Sequence, residues 1–337
     1  MTLILAIETS CDETACAVVK DGKEILSSIV SSQINVHTLY GGVVPEVASR
    51  IHVENISAVI HEAVKQSGVT MDDIDAIAYT QGPGLIGSLH VGVQAAKTLA
   101  WMYHKPLVPI NHMTGHIYAN RFVDELEFPL MALVISGGHS QLVWMKNDWD
   151  FKVIGTTWDD AIGEAYDKVS RVLGTGYPGG PIIDKMAKQG HPHYTLPSPK
   201  TQGKYDFSFS GLKTAVLQMI QREEKKGETI VKEDVAYAFQ ETALHQMVTK
   251  TISAVEDFRP KTLVLAGGVA ANSRLRELIT EEMNAYPEVK LIIPGIKYCT
   301  DNAAMIGAAG YVAFQHSQFG DLSAAADPGL EMPGENE

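Results

Sequence analysis

The sequence is poor in cysteine, in basic residues and in long apolar runs. Its three cysteines form neither a CxxC pair nor a zinc-finger spacing, so they indicate reduced, structural thiols. No apolar stretch approaches the roughly 18 residues that would span a bilayer. The N-terminus has no basic start and runs into the acidic ETSCDET, which predicts a buried strand rather than a signal peptide. We therefore expect a cytoplasmic protein.

The shortage of basic residues bears on what the protein can bind. Lys and Arg number 27 against 40 Asp and Glu, which gives a formal net charge of −13. This sign is wrong for a protein that holds a nucleic acid alone, because phosphate binding needs cations that displace counterions. If the substrate is a nucleic acid, a local basic patch or a partner protein must supply the positive field.

A strand–turn–strand pattern occurs twice. Residues 3–7 (LILAI) and 15–19 (ACAVV) flank ETSCDET, and residues 131–135 (MALVI) and 141–145 (QLVWM) flank SGGHS. Each half of the chain therefore opens with a predicted β-hairpin whose turn is made of small and polar residues.

Helical patterns alternate with further strands. Apolar spacing predicts helices over 45–68, 157–174 and 300–315, with Thr157 and Asp160 arranged like a capping box. The alternation predicts an α/β protein with mixed sheets and a ligand cleft between its halves.

The length of the chain favours two domains. We expect one lobe of 1–125 plus about 300–320 and a second lobe of 126–299. Residues 321–337 are acidic and apolar-poor, so we expect a disordered tail.

The stretch GPGLIG matches G-x-G-x-x-G through Gly82, Gly84 and Gly87. A dinucleotide site also needs an acidic residue at the end of the next strand, and that strand ends instead in Asn111 and His112. We therefore favour a bend where the backbone passes close to another segment.

Two glycine turns are more informative. Gly137 and Gly138, between strands, expose N–H groups that cradle anions. The turn AGGVAAN precedes a helix and offers a flat surface for a base or ribose, with Asn272 placed to hydrogen-bond there. Each of these turns, taken singly, is equally well read as an ordinary turn.

His112 and His116 lie four residues apart in NHMTGHIYAN. On a helix both imidazoles reach one ion, but a solvated or core-satisfied pair has the same spacing. Asp301 precedes a helix and by itself is explained as a helix-terminal acid. Residue 113 is Met, so H-E-x-x-H and its general base are missing, which argues against a metallopeptidase.

Taken together, the motifs resemble the TsaD family, tRNA N6-adenosine threonylcarbamoyltransferases formerly called O-sialoglycoprotein endopeptidases (Gcp). They occur in order from residue 3 to about 318: AIETSCDET, GPGLIGSL, NHMTGHIYAN, SGGHSQL, DDAIGEAYDKVSRVLG, YPGGPIID, FSFSGLKTAV, GGVAANSRLR and CTDNAAMIG. The resemblance implies the two-lobed actin, sugar-kinase and Hsp70-like (ASKHA) fold, with duplicated ribonuclease-H-like mixed sheets.

The resemblance also implies an activity. The family transfers a threonylcarbamoyl group from threonylcarbamoyl-AMP to the exocyclic amine of the adenosine 3′ of the anticodon, in tRNAs reading codons that begin with A. It implies a single ion, iron(II) or else zinc, on His112, His116 and Asp301. It further implies a heterodimer with the paralogous TsaB and association with the ATPase TsaE.

Roles for other residues follow by motif match. Asp12 and Glu13 are candidates to position the attacking amine or accept its proton. The expected substrate-binding residues are Ile135, Ser136, Gly137, Gly138, His139, Asp167, Gly180, Asp184 and Asn272. Local basic residues that could touch tRNA phosphates, independently of any motif, are Lys200, Lys204, Lys213, Arg274 and Arg276, although each taken singly is better explained as a solvated surface residue.

Two alternatives from other functional classes stay open. A nucleotide-dependent phosphotransferase or ATPase of the same fold is permitted by the turns, but such enzymes handle magnesium through carboxylates and water. A non-catalytic partner such as TsaB needs no ion site, so the histidines and Asp301 argue against it.

Overall fold

The computed structural model describes residues 1–335, which group into two compact units. Unit 1 holds Met1–Leu126, Trp149–Phe151 and the chain from Pro294 onwards, and unit 2 holds Glu127–Asp148 and Lys152–Ile293. The middle of the chain therefore forms one unit, while both ends build the other.

Each unit contains a five-stranded mixed sheet. The strands are β1 Leu3–Glu8, β2 Glu13–Lys20, β3 Glu24–Ser32, β4 Ala76–Gly82, β5 Leu107–Asn111, β6 Leu130–Ile135, β7 Ser140–Met145, β8 Phe151–Thr156, β9 Thr262–Ala266 and β10 Lys290–Ile292. The helices are α1 Ile34–Thr38, α2 Pro45–Ser67, α3 Ile86–Tyr103, α4 His112–Tyr118, α5 Ile162–Leu173, α6 Gly179–Ala187, α7 Ser210–Lys225, α8 Lys232–Phe258, α9 Ser273–Met283 and α10 Ala303–Gln315.

The two sheets share one strand order. In unit 1 it is β3-β2-β1-β4-β5, and in unit 2 β8-β7-β6-β9-β10. In both, the first strand pairs antiparallel with the second and parallel with the fourth. This confirms the predicted repeat of hairpin-led halves and the α/β class with mixed sheets.

The sheet of unit 1 is covered on both faces, so its central strand β1 is apolar at every position from Leu3 to Ile7. Leu5 belongs to the core that includes residues of α2 and α3. Ile4, on the opposite face, lies 3.3 Å from where a Cβ on Gly310 of α10 would stand. A Cβ on Gly307 would lie only 2.5 Å from Val19 Cγ2. Glycine at these positions lets α10 approach the sheet closely, which fixes the place of the loop before it.

The helix predicted over 157–174 is shorter than expected. It begins at Ile162, and no side chain caps it. The Thr157 hydroxyl donates instead to the Asp160 carbonyl at 2.7 Å, so the predicted capping box is wrong. The reason is a bridge between Thr157 and Phe207, which holds the preceding segment extended. The closing helix likewise begins at Ala303, with Asn302 as its N-cap.

The tail differs from the prediction of disorder over 321–337. Within its described part, the Asp327 amide donates to the Gln81 carbonyl at 2.9 Å, and Met332 is 3% exposed. The composition misled because the tail is held largely through its backbone. Residues 336 and 337 lie outside the described residues.

None of the helices within residues 1–335 combines the length and apolarity needed to cross a bilayer. Cys11, Cys16 and Cys299 are free thiols, and the last two are buried.

Candidate active site

Three side chains of unit 1 bring one ligand atom each to a common point. β5 runs directly into α4, which carries His112 and His116 on one face, and the loop before α10 carries Asp301. Asp301 Oδ1 lies 3.3 Å from His112 Nε2 and 3.2 Å from His116 Nε2. The two Nε2 atoms are 3.2 Å apart. The predicted HxxxH pair and the late aspartate therefore meet in space.

Behind these atoms lies Glu8, at the end of β1. Its Oε2 is 3.0 Å from His112 Nδ1 and accepts from the Thr80 hydroxyl, while its Oε1 accepts from the Ser10 amide. The Ser10 hydroxyl is 3.2 Å from the same imidazole nitrogen. A carboxylate on Nδ1 fixes the tautomer and the ring orientation of a ligating histidine. Glu8 therefore aims the His112 Nε2 lone pair at the common point.

The charges of this cluster favour bound positive charge. Burial disfavours protonation of His112, but the carboxylates of Asp301 and Glu8 outweigh it and raise the pKa of His112 well above its usual value. Burial likewise opposes ionisation of Asp301, yet His112 holds the Asp301 pKa below its usual range. Burial lowers the pKa of His116. The two acids that retain a proton on His112 would equally stabilise a cation at Nε2.

The donor set fits a transition-metal ion. Two imidazole nitrogens and one carboxylate oxygen, with further positions open, are typical of iron(II) and zinc sites. The imidazoles are almost fully buried and meet edge to face, with ring centroids 4.7 Å apart. His116 Nδ1 is buried and has no hydrogen-bond partner among the described residues, so only contacts at Nε2 orient that ring through its polar atoms. A cation held there would add to this constraint.

Asp12 and Glu13 lie at the β1–β2 turn of the same unit. His52 of α2 shapes this turn, because its Nε2 is 2.9 Å from the Cys11 carbonyl oxygen and its Nδ1 2.7 Å from the Thr14 hydroxyl. Burial, then Asp301 and Asp12, raise the pKa of Glu13 to about 9. Glu13 therefore carries a proton at neutral pH.

In unit 2, the segment Ile135–His139 forms the predicted glycine turn. The Ser136 amide donates to the His139 carbonyl at 2.8 Å, and the His139 amide to the Ser136 hydroxyl at 3.1 Å. A Cβ on Gly267, whose φ is +92°, would lie 2.3 Å from the Ile135 carbonyl oxygen. The two glycine turns are therefore in close contact with each other.

The remaining predicted substrate residues also lie in unit 2. Asn272 caps α9 through Leu275 N and donates to Gln240 at 2.9 Å, and Gln240 in turn donates to Asp184 at 3.3 Å. Asp167 accepts the Gly179 amide at 2.7 Å, next to Gly180. These contacts join α5, α6, α8 and α9 in one polar network.

Sequence reasoning missed several members of these groups. Glu8, Ser10 and His52 support the metal cluster and its turn, and Gln240 with Tyr166 links the network around Asn272. A signal existed only for Glu8, an acid that ends a buried apolar strand.

The first two glycines of the G-x-G-x-x-G stretch pack closely against other segments of the same chain. A Cβ on Gly82 would lie 1.8 Å from the Asp327 carbonyl oxygen, and one on Gly84 2.5 Å from the Ser10 carbonyl oxygen. The expected close backbone approach is therefore present.

Residues 24–308 match the family model described as TsaD: tRNA N6-adenosine threonylcarbamoyltransferase. The chain is 53% identical to the protein of that name from Lactiplantibacillus plantarum over 337 residues, which covers 98% of this chain and 97% of the relative. A protein of the same name from Bacillus cereus is 53% identical over 332 residues, 98% of this chain and 97% of the relative.

Among solved structures, the activator of the 2-hydroxyisocaproyl-CoA dehydratase from Clostridium difficile superimposes with a TM-score of 0.54 at 13% identity. The match covers 94% of this chain and 97% of that one, and at this identity it shows the fold alone. The ASKHA-type fold implied by the motifs is confirmed. The sequence matches carry the assignment further: the chain belongs to the TsaD family of tRNA N6-adenosine threonylcarbamoyltransferases.

Proposed function

We propose that the chain transfers the threonylcarbamoyl group from threonylcarbamoyl-AMP to the exocyclic amine of the adenosine 3′ of the anticodon, in tRNAs reading codons that begin with A. The reaction is an acyl transfer in which the amine attacks the activated carbonyl and AMP leaves. Because AMP is already a good leaving group, the enzyme needs orientation and charge stabilisation more than a strong nucleophile. It would act in the cytoplasm.

The observation that carries the proposal is the convergence of His112, His116 and Asp301 within a family of this activity. We assign iron(II) to these ligands, with zinc as the alternative. When bound, the ion polarises and orients a carbonyl oxygen of the activated substrate. The chain itself holds the geometry: Glu8 orients His112, and the close packing of α10 fixes Asp301.

Proteolysis is not favoured. A zinc peptidase of the H-E-x-x-H type places a glutamate beside its first histidine to activate water. Here that residue is Met113, which is buried and 3% exposed. An acyl transfer from a good leaving group needs no such base.

Unit 2 supplies the proposed nucleotide site. The turn Ile135–His139 would contact the phosphate or carbamoyl part through the backbone N–H groups of Gly137 and Gly138, since the Ser136 and His139 amides donate within the turn. The network of Asp167, Gly180, Asp184 and Asn272 would hold the adenosine end, where carboxylates accept from ribose hydroxyls. Supporting this, Gly180 and Gly268 face open space, so a ligand can approach the backbone there.

Asp12 and Glu13 would act on the amine. With a pKa near 9, Glu13 is protonated at neutral pH and serves as a hydrogen-bond donor rather than a base. Asp12 is then the candidate to receive the proton that the amine loses. The hydroxyl of Ser32 donates to Glu13 Oε1 at 3.0 Å and fixes the orientation of that carboxyl.

The charge balance supports a partner in tRNA binding. Of the basic residues predicted to touch tRNA, Arg274 is held by Glu241 and Glu277, and Lys204 pairs with Asp257. These cations are therefore already neutralised within the chain. We propose a heterodimer with TsaB and association with TsaE. These partners would supply positive surface for tRNA, since the formal net charge of this chain is −13.

An apolar groove on unit 1 offers a place for the paralogous partner. It lies between α2 and α3, measures about 540 Å³ and is lined by side chains such as Ile60, Val91 and Leu99. Trp101 and Met102, near the end of α3, are 67% and 56% exposed. Apolar surface of this kind is typical of a protein-binding face.

The direct test is reconstitution of the purified chain with threonylcarbamoyl-AMP and unmodified tRNA, with and without both partners. The modified nucleoside should form, and its yield should need the bound metal. Steady ATP turnover by the chain alone, with no dependence on tRNA and no modified nucleoside, would instead support a phosphotransferase or ATPase.

A further inference from the structure

The tail of the chain is hydrogen-bonded to residues 81–84, which comprise the end of β4 and the start of the loop that follows it. The Gln81 side-chain amide donates to the Ala325 carbonyl at 3.0 Å, and the Gln81 carbonyl accepts from the Asp327 amide at 2.9 Å. The Gly84 amide donates to the Pro328 carbonyl at 3.3 Å. Residues 325–332, which we name the C-terminal strap, are therefore fixed along this loop.

This loop is linked through Ser10 to His112, one of the candidate metal ligands. Gly82 has no room for a Cβ, because the Asp327 carbonyl oxygen would lie 1.8 Å from it. On its other side, the loop meets Ser10, whose carbonyl accepts from the Leu85 amide at 2.7 Å. The Ser10 hydroxyl is 3.2 Å from His112 Nδ1. One chain of contacts thus runs from the strap through the loop to a candidate metal ligand.

A second chain of contacts runs through Asn111. Its side-chain amide donates to the carbonyls of Leu330, at 3.2 Å, and Glu331, at 3.1 Å. Its side-chain oxygen accepts from the Met113 amide at 2.8 Å and so caps α4. A seven-residue helix has few internal hydrogen bonds, so its position depends strongly on such a cap. Asn111 joins the strap to the helix that carries both imidazoles.

We propose that the C-terminal strap positions the metal ligands of unit 1, through Asn111 and through the loop at Gly82, and that cation affinity depends on its being docked. Asn111 is a positioning residue in this view. Met332, 3% exposed, anchors the end of the strap. The inference rests on the metal site proposed above, and it gives the G-x-G-x-x-G stretch a role that nucleotide binding does not supply.

The test uses the full chain and two substitutions. Asn111→Asp keeps the oxygen that caps α4 but removes the donor to the strap. Met332→Asp places a charge at the buried anchor and releases the strap. Asn302→Asp is the matched control, because Asn302 caps α10 beside Asp301 while its amide donates to Thr300, not to the strap. It adds the same charge near the same site.

Two readouts are needed: titration with Co²⁺ followed by visible absorption, and amide hydrogen exchange. Asn111→Asp and Met332→Asp should each weaken Co²⁺ binding about tenfold or more, as loss of supporting contacts does at metal sites. The double variant should bind Co²⁺ no more weakly than Met332→Asp alone, because both substitutions break the same link between the strap and Asn111. Amides of α4 should exchange faster in both variants, and Asn302→Asp should retain the parental affinity.

Fast amide exchange at Asp327 and Gly84 in Met332→Asp would show that the strap is released. If this variant nevertheless binds Co²⁺ with the parental affinity, the inference is overturned. If Met332→Asp does not fold, equal Co²⁺ affinity of Asn111→Asp and Asn302→Asp overturns it. A parent that binds no Co²⁺ refutes the proposed metal site instead. In that case amide exchange still tests whether the strap positions α4. Faster exchange of the α4 amides in both variants supports this role of the strap, and unchanged exchange contradicts it.

Discussion

The carboxylate of Glu8 lies 3.0 Å from Nδ1 of His112, on the side of the ring away from Asp301. This contact leaves Nε2 as the nitrogen that faces the proposed metal position, so its loss should weaken metal binding. We expect Glu8→Gln to lower metal affinity by about 10–100-fold, measured by competition with a chromophoric chelator. Glu24→Gln, on exposed β3, is the control and should leave affinity unchanged. Parental affinity in Glu8→Gln would show that Glu8 does not orient the ligand.

The paired histidines allow a stricter test of the metal role. His112→Ala combined with His116→Ala should abolish metal content and reduce tRNA modification about a hundredfold or more. Cooperative unfolding should persist, because the sheet of unit 1 does not depend on these rings. His90→Ala, at an exposed position of α3, serves as control. Full modification by the demetallated double variant would refute the metal role.

The raised pKa of Glu13 predicts a pH dependence of stability. Above the ordinary glutamate pKa of 4.5 the unfolded chain releases the Glu13 proton, while the folded chain keeps it until about pH 9. The folded state then binds more protons, so this group lowers the free energy of unfolding as pH rises from about 4.5 to 9.

Glu13→Gln should therefore be more stable than the parent at pH 8, by an amount on the order of a few kcal/mol at most, and equal to it near pH 4. Denaturant unfolding at both pH values measures this. A stability difference that does not change with pH would contradict the protonated state of Glu13.

The contact between Gly267 and Ile135 predicts a specific loss of nucleotide binding. In Gly267→Ala the alanine must adopt a positive φ, which costs about 1–2 kcal/mol. Its Cβ would also lie 2.3 Å from the Ile135 carbonyl oxygen. The turn Ile135–His139 should shift, and the KM for threonylcarbamoyl-AMP should rise. Gly211→Ala, in α7 and outside the proposed nucleotide site, is the control, since its Cβ would meet nothing within 4 Å. Equal kinetics for the two variants would exclude a role for this contact.

If TsaB binds in the groove between α2 and α3, a substitution in that groove should weaken its binding. Ala95→Arg places a charge in an apolar lining and should weaken binding of TsaB at least about tenfold, measured by sedimentation or calorimetry. Gln221→Arg adds the same charge at an exposed position of α7 and should bind TsaB with the parental affinity. Undiminished binding by Ala95→Arg would place the partner elsewhere.

The sequence predicted the elements better than their contacts. Alternating apolar strands and small polar turns gave both hairpins, because period and turn chemistry are local properties. The convergence of Asp301 with His112 came only from the family resemblance, since nothing local indicates which distant acid returns to a helix. Thr157 has the spacing of a capping residue, but pairing with Phe207 decides its conformation. The tail was misjudged because backbone hydrogen bonds leave no mark in composition.

Unit 2 is inserted in the chain between the two imidazoles and their acid partner. A ribosome therefore delivers His112 and His116 long before it delivers Asp301, and the entire intervening unit is synthesised in between. Nascent chains, and products of premature termination before residue 301, possess only part of the coordination sphere. The proposed metal site can therefore assemble only after residue 301 has been synthesised, and a chain that stops before it lacks the acidic ligand.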